Sequence, residues 1–410
     1  MKIELREVGT FFGYLIFLCI SSICFSVIGI ENKISNIRYY ILALMIFIGI
    51  IKVFIKYNKG GLNKESGKVK DLLLIIFVAL IFFVISIERA VKSGYMLNFR
   101  TIVQISLVLF PALYAYVLVN LLSINTIVKI FKITFIIGVC FYVYEVGVGT
   151  FLNIDNWLSI SYLHSYSPFE NSTYPEVFLY CFFFFNYFRH TDADNKKNLQ
   201  LFTILSFVFT MLAFKRLQIL AAIGVFLLSM LINMRKKFKN QYAICLAIIF
   251  IIGTIIYKKF VSGEIDILGI DPYYFTTGRS YILQLWGDKD FLSYGFGTSM
   301  LVINRYLEMD LIQIYMELGI FALGIFSIVY FWIVRKNIYA TIIMIYSFGN
   351  MLTASSLPGS LGWVLVFVLV SIIGQEDNGK NVVFEQKQYK IKNRFILKKH
   401  FCIKRQEKNR

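Results

Sequence analysis

The stretch LQLFTILSFVFTMLAFKRLQILAAIGVFLLSMLINM, Leu199 to Met234, decides how this chain has to be built. Its 36 residues are mostly apolar but are interrupted near the middle by Lys215 and Arg216. A bilayer core about 30 Å thick takes about 20 residues of helix. A charge at its centre costs about 2.5–3.5 kcal/mol on insertion scales, so two adjacent cations exclude a single long span. The length suffices instead for two short helices joined by a tight hinge at Phe214 to Leu217. The hinge then carries both charges at a membrane surface.

The rest of the chain agrees. Hydrophobic residues make up 58% of 410 and charged residues 16%, where soluble domains have about 25% charged. Mean hydropathy is +0.68. With 41 Phe and 26 Tyr, no single globular core hides that much apolar surface, and five prolines without a low-complexity tract exclude a disordered chain. Six cysteines have neither CxxC nor metal spacing and read as small apolar residues. No metal or cofactor is expected.

Twelve stretches are long or apolar enough to be read as spans: Gly9 to Ile30, Ile37 to Ile55, Asp71 to Ile87, Phe99 to Asn120, Thr126 to Gly149, Pro175 to Phe188, Leu199 to Phe214, Leu217 to Met234, Tyr242 to Tyr257, Leu311 to Val334, Ile338 to Ala354 and Leu361 to Gly374. The first is too long for a cleavable signal peptide and lacks a small-residue cleavage site. The fold class predicted is all-α and polytopic, with a membrane domain over residues 1–374 and a basic tail over 375–410. With the N-terminus inside, 30 of 42 Lys and Arg fall on the cytoplasmic side, and 19 against 12 remain without the tail. The positive-inside tendency therefore puts both termini in the cytoplasm. It also accounts for the net charge of +18 through topology and anionic headgroups rather than nucleic acid binding.

Two long connections, 150–174 and 258–310, then fall on the outer face. Loops of that length are usually functional or disordered, and the second, with several tyrosines, Trp286 and the turn residues Gly295 and Gly297, is expected to fold partly as short helices. Lys215 and Arg216 either snorkel at their hinge or face an outward cavity and hold an anion. Arg279, in TTGRSYILQLW, falls in the first turn of a helix whose free N–H groups favour anions. It either pairs with Asp271 or Asp288 or grips a phosphate in two parallel hydrogen bonds. Glu308 and Asp310 are candidate bases, or else Arg305 and Glu308 simply pair at i, i+3 on an interfacial helix. Glu317 lies deeper and needs a cavity or a basic partner. His164, Glu145, Glu170 and Glu176 are weaker cavity candidates in or near the first long connection, and Tyr274 and Trp286 are candidate platforms for sugar faces.

AFKRLQIL at the hinge, TTGRSYILQLW, SYGFGTSM and YLEMDLIQIYMELGIFALGIF, with FENSTYPEVF in the first loop, together resemble the membrane polymerases and ligases of bacterial surface polysaccharides: the O-antigen ligase and Wzy-type polymerase group. The resemblance covers residues 150–330. Aligned on Glu317 to Gly319, the histidine of the ligase branch falls on Glu308 and its asparagine on Met309, so LEMD is closer to a repeat-unit polymerase. The resemblance implies a GT-C-like glycosyltransferase of the bacterial plasma membrane, working at the outer face on polyprenyl-pyrophosphate-linked oligosaccharides. Arg216 and Arg279, with Lys215 and Arg305 beside them, would bind the pyrophosphate, and Glu308 or Asp310 would take the acceptor proton. His164, Glu176, Tyr274, Trp286 and Glu317 would line the sugar cavity. A chain-length regulator and a flippase are the protein partners it implies.

Two other readings compete. A lipid-linked oligosaccharide flippase fits the span count but should show two equivalent halves with short loops, and no internal repeat is visible. A multi-span acyltransferase wants an outward histidine, and only His164 qualifies.

Overall fold

The structure is a computed structural model that describes residues 5–28, 33–58, 66–94, 96–161, 166–171, 173–189, 196–231, 239–267, 269–276, 278–287, 292–305 and 307–375. Among these residues the chain is helical, with no strand beyond an isolated bridge between Ser161 and Tyr166. Five long helices come first: α1 (Leu5–Ile23), α2 (Ile37–Asn58), α3 (Ser66–Lys92), α4 (Phe99–Leu121) and α5 (Ile124–Val146). Two single-turn helices, α6 (Val148–Leu152) and α7 (Ile154–Leu158), lead into α8 (Pro175–Phe188), α9 (Lys196–Leu212), α10 (Arg216–Leu231) and α11 (Asn240–Val261). Short helices α12 (Pro272–Phe275), α13 (Arg279–Gly287) and α14 (Thr298–Val302) precede the last four, α15 (Asp310–Leu318), α16 (Ile320–Val334), α17 (Ile338–Thr353) and α18 (Ser360–Gln375).

Each of the twelve apolar stretches contains helix. Among the described residues, six helical segments are long and apolar enough to cross a membrane: Glu7–Ile28, Ile34–Asn58, Val69–Lys92, Phe99–Leu121, Ile124–Val146 and Asn240–Val261. The chain is thus a helical protein built for a membrane. Two of the stretches are broken by a glycine. Thr126 to Gly149 breaks at Gly147, φ 92°, between α5 and α6. Leu311 to Val334 is two helices rather than one, because Gly319 turns the backbone into the left-handed region at φ 88° between α15 and α16. A side chain is strained there and glycine is not.

At the centre of the bundle lies α8, PEVFLYCFFFFNYF, of which every residue but Glu176 is buried. A helix apolar all round has to be covered all round, and α8 packs against α5, α9, α10 and α18. Lipid supplies no hydrophobic drive between helices, so close van der Waals fit does the joining. Phe131 of α5 stacks on Phe184 with ring centroids 3.8 Å apart, a contact worth about 0.5–1.5 kcal/mol. A second, smaller core forms among Phe260, Val261, Ile282, Leu283, Trp286, Leu307, Met309 and Ile312. It fastens the 258–310 connection onto the end of α11 and the start of α15.

Candidate functional site

The hinge at Lys215 shapes the site. Helix α9 ends at Leu212, and Phe214 takes a left-handed φ of 59° before α10 begins at Arg216. The Lys215 carbonyl accepts from the Gln218 and Ile219 N–H groups at 3.0 Å each, so it opens α10. The first long connection docks on this hinge: the Asn171 N–H donates to the Ala213 carbonyl at 3.3 Å. Asn171 Oδ1 in turn accepts the N–H groups of Thr173 (2.8 Å) and Tyr174 (3.0 Å), which starts α8 beside the hinge.

This places Glu176, in the first turn of α8, next to Lys215. Its carboxylate accepts from the Tyr180 hydroxyl at 3.0 Å and from Asn350 Nδ2 at 3.3 Å. Gly362 of α18 leaves it room: a Cβ there would come within 3.3 Å of the carboxyl carbon. Lys215 is half-buried, and that burial pulls its pKa below the ordinary lysine range. Glu176 and exposed Glu170 partly offset the shift, while Arg279 adds to it. A charge from the α9–α10 hinge and one from the 258–310 connection, remote in sequence, therefore sense each other.

Arg279 opens α13 directly after Gly278, whose φ is 87°. Its Nη1 donates to the Thr276 carbonyl at 3.1 Å, and its Nε lies 3.4 Å from Glu308 Oε2. Of the two acids expected as its partner, Asp271 instead caps α12 by accepting the Tyr273 N–H at 2.7 Å; Asp288 lies outside the described residues. Glu308 also faces Arg305, Nη2 to Oε1 3.7 Å, so the i, i+3 pair is present, but the two residues lie between α14 and α15 rather than on the expected interfacial helix. Glu308 itself is left-handed at φ 60°. Among the described residues, the non-glycine positions with positive φ are Phe214, Asn304 and Glu308, each at or beside a site charge. Such conformations cost about 1–3 kcal/mol and gather at functional sites.

The remaining candidates separate by burial. Asp310 is buried, and its carboxylate holds the connection between α17 and α18: Oδ2 accepts the Ser356 and Leu357 N–H groups at 2.6 and 2.8 Å, and Oδ1 the Ser355 hydroxyl at 3.4 Å. Between the two candidate bases, Glu308 is the half-exposed one and Asp310 is committed to the backbone N–H groups of Ser356 and Leu357. Glu317 is also fully buried, and among the described residues its carboxylate has no ion-pair partner. It takes the Gly297 and Ser299 N–H groups at 2.6 and 2.8 Å and the Gln313 amide at 3.2 Å, pinning SYGFGTSM to α15. Trp286 is 1% exposed, its faces covered by the second core, so it packs and offers no open face to a sugar. Tyr274 is 79% exposed and does. Arg216 and Arg305 are exposed, and Lys215 lies within electrostatic range of Arg279. Glu145, at the end of α5, accepts from the Ser26 hydroxyl at 3.4 Å. His164 and nearly all of the basic tail lie outside the described residues.

Asn171, Tyr180, Asn350 and the 355–357 connection were not expected here. Asn350, in IYSFGNMLT, carries a legible signal, because a polar side chain in an apolar helix marks a bundle interior or a site. The 355–357 connection has none, since it acts mainly through backbone N–H groups distant in sequence from Asp310. Compared with known proteins, the chain matches no family model, no curated protein and no solved structure.

Proposed function

We propose that the chain is a glycosyltransferase of a bacterial plasma membrane: a repeat-unit polymerase of a surface polysaccharide, with twelve spans in a GT-C-like arrangement and both termini cytoplasmic. The observation that carries this reading is the ion pair of Arg279 and Glu308, set within electrostatic range of Lys215 by two backbone turns in strained conformations.

The chemistry is a single displacement. The acceptor hydroxyl on the non-reducing end of a lipid-linked repeat unit attacks the anomeric carbon of the growing glycan. The bond from that carbon to the pyrophosphate oxygen breaks, and the polyprenyl pyrophosphate leaves with the electron pair. Lys215 and Arg279 stabilise the charge that develops on it, as fixed cations do at leaving groups. Drawn to the pyrophosphate, Arg279 loosens its hold on Glu308, which is then free to take the acceptor proton. The product anomeric centre is inverted. Exposed Tyr274 offers a ring to a sugar face.

Reconstitution with purified lipid-linked repeat units, with products resolved by size, tests the reading. A ladder of multimers that disappears in Glu308→Gln is expected; unreacted single units from the wild-type chain would reject it. In a disruption strain, single repeat units displayed on the outer surface are expected, whereas units stranded inside would favour the flippase.

A further inference from the structure

Arg38 is a cation that the site above does not use. It is the second residue of α2 but only 2% exposed. Its guanidinium lies against two rings, 4.4 Å from the centroid of Phe25 and 4.7 Å from that of Tyr39. Nη2 donates to the Tyr39 hydroxyl at 2.7 Å, which donates onward to the Pro358 carbonyl at 3.2 Å. Nε and Nη1 meet no acceptor among the described residues.

Arginine does not escape burial by losing its proton. A buried charge persists where it is paired, and ring faces repay only part of its lost hydration. The first turn of a helix is also the end at which a cation is disfavoured by the dipole and an anion favoured. An anion seated on Nε and Nη1 would relieve all three conditions. Two further buried donors flank Pro358, the hydroxyls of Ser356 and Ser360, and neither has a partner among the described residues. Asp310 fixes this same connection through the Ser356 and Leu357 N–H groups.

We propose that Arg38 is the cation of a second phosphate-binding site, one that takes the diphosphate head of a lipid-linked substrate. The identity of the ligand rests on the polymerase reading, since transfer between two polyprenyl-diphosphate substrates requires two diphosphates held at once. Lys215 and Arg279 hold the one that leaves, and Arg38 holds the one that stays with the acceptor.

The test uses the full chain in phosphatidylcholine nanodiscs, titrated with farnesyl diphosphate and, separately, with inorganic pyrophosphate. The wild-type chain is expected to bind two equivalents of farnesyl diphosphate, Arg38→Met one, and Arg279→Gln the other one. Met fills the space between the rings without charge, so the ligand-free variant should melt no lower than the wild type. Two equivalents bound by Arg38→Met would overturn the proposal. Should that variant fold poorly, Arg38→Lys keeps the charge and loses the planar fork; affinity at one site about tenfold weaker is expected, and unchanged affinity would overturn it. Pyrophosphate binding at Arg38 as tightly as farnesyl diphosphate would identify a soluble phosphate compound as the ligand and remove the lipid assignment. Activity separates this site from the reading beneath it: two bound diphosphates without polymer keep the site and reject the polymerase, whereas normal polymer from Arg38→Met does the reverse.

Discussion

Arg279 Nε and Glu308 Oε2 lie 3.4 Å apart, tying the first turn of α13 to a left-handed residue just before α15. In the ligand-free chain the proposed anion-binding group and the proposed base thus neutralise each other. Substrate has to separate them, which couples binding of the pyrophosphate to release of the carboxylate.

Arg279→Ala should leave membrane levels of the protein normal and lower polymer synthesis by about 10²–10³-fold, the range for removing one fixed donor from a charge-stabilising site. Arg279→Lys keeps the charge but loses the two-pronged grip and should fall in between. Glu308→Gln should cost about 10²–10⁴-fold, as for removal of a general base, while binding of farnesyl diphosphate persists. Initial rates on purified lipid-linked repeat units check all three, and wild-type rates in the glutamine variant would exclude Glu308 as the base.

Glu308→Gly and Glu308→Ala give a sharper test of why a glutamate occupies a strained position. Both remove the ion pairs, but only glycine removes the backbone penalty, so the glycine variant should be more stable than the alanine variant by about 1 kcal/mol and equally inactive. Thermal unfolding in detergent, read alongside activity, measures both. Equal stability would show that the left-handed turn stores no strain.

Glu317→Ala should destabilise the chain without touching substrate. It leaves the buried N–H groups of Gly297 and Ser299 unmet, at about 1–3 kcal/mol each, and frees the segment that α15 holds. A lower melting temperature and reduced membrane abundance are expected, with rates per folded molecule reduced far less than in Glu308→Gln.

Much of this arrangement was legible in the sequence because the membrane punishes particular mistakes. Lys215 and Arg216 cannot sit mid-bilayer, so the break in Leu199 to Met234 and its location followed from the residues alone. The roles of individual acids did not follow. Glu308, Asp310 and Glu317 look alike in LEMDLIQIYMELG, yet one faces two arginines and the other two face backbone N–H groups supplied by residues 355–357 and 297–299. Neither segment announces itself as a partner, because a backbone amide has no residue type. Trp286 and Tyr274 were equally plausible ring platforms, and only the packing of the second core buries the first and exposes the second. Arg38 was hidden for a similar reason: one cation at the end of an apolar run reads as ordinary topology.

Lys215 makes diphosphate binding depend on pH. Burial, with Arg279 adding to it, lowers its pKa below the ordinary lysine range, and a diphosphate beside it favours the charged form. As pH rises through the lowered pKa the empty site loses its proton, so binding must then recover one and affinity falls. The unfolded chain, with an ordinary lysine, holds more protons than the folded one over the same window. The stability of the ligand-free protein should therefore rise with pH while its affinity drops. Titrating farnesyl diphosphate between about pH 7 and pH 10 should show the decline in wild type. Lys215→Arg, which stays charged throughout, should flatten it. A decline of the same size in Lys215→Arg would place the titrating group elsewhere and separate Lys215 from the leaving pyrophosphate.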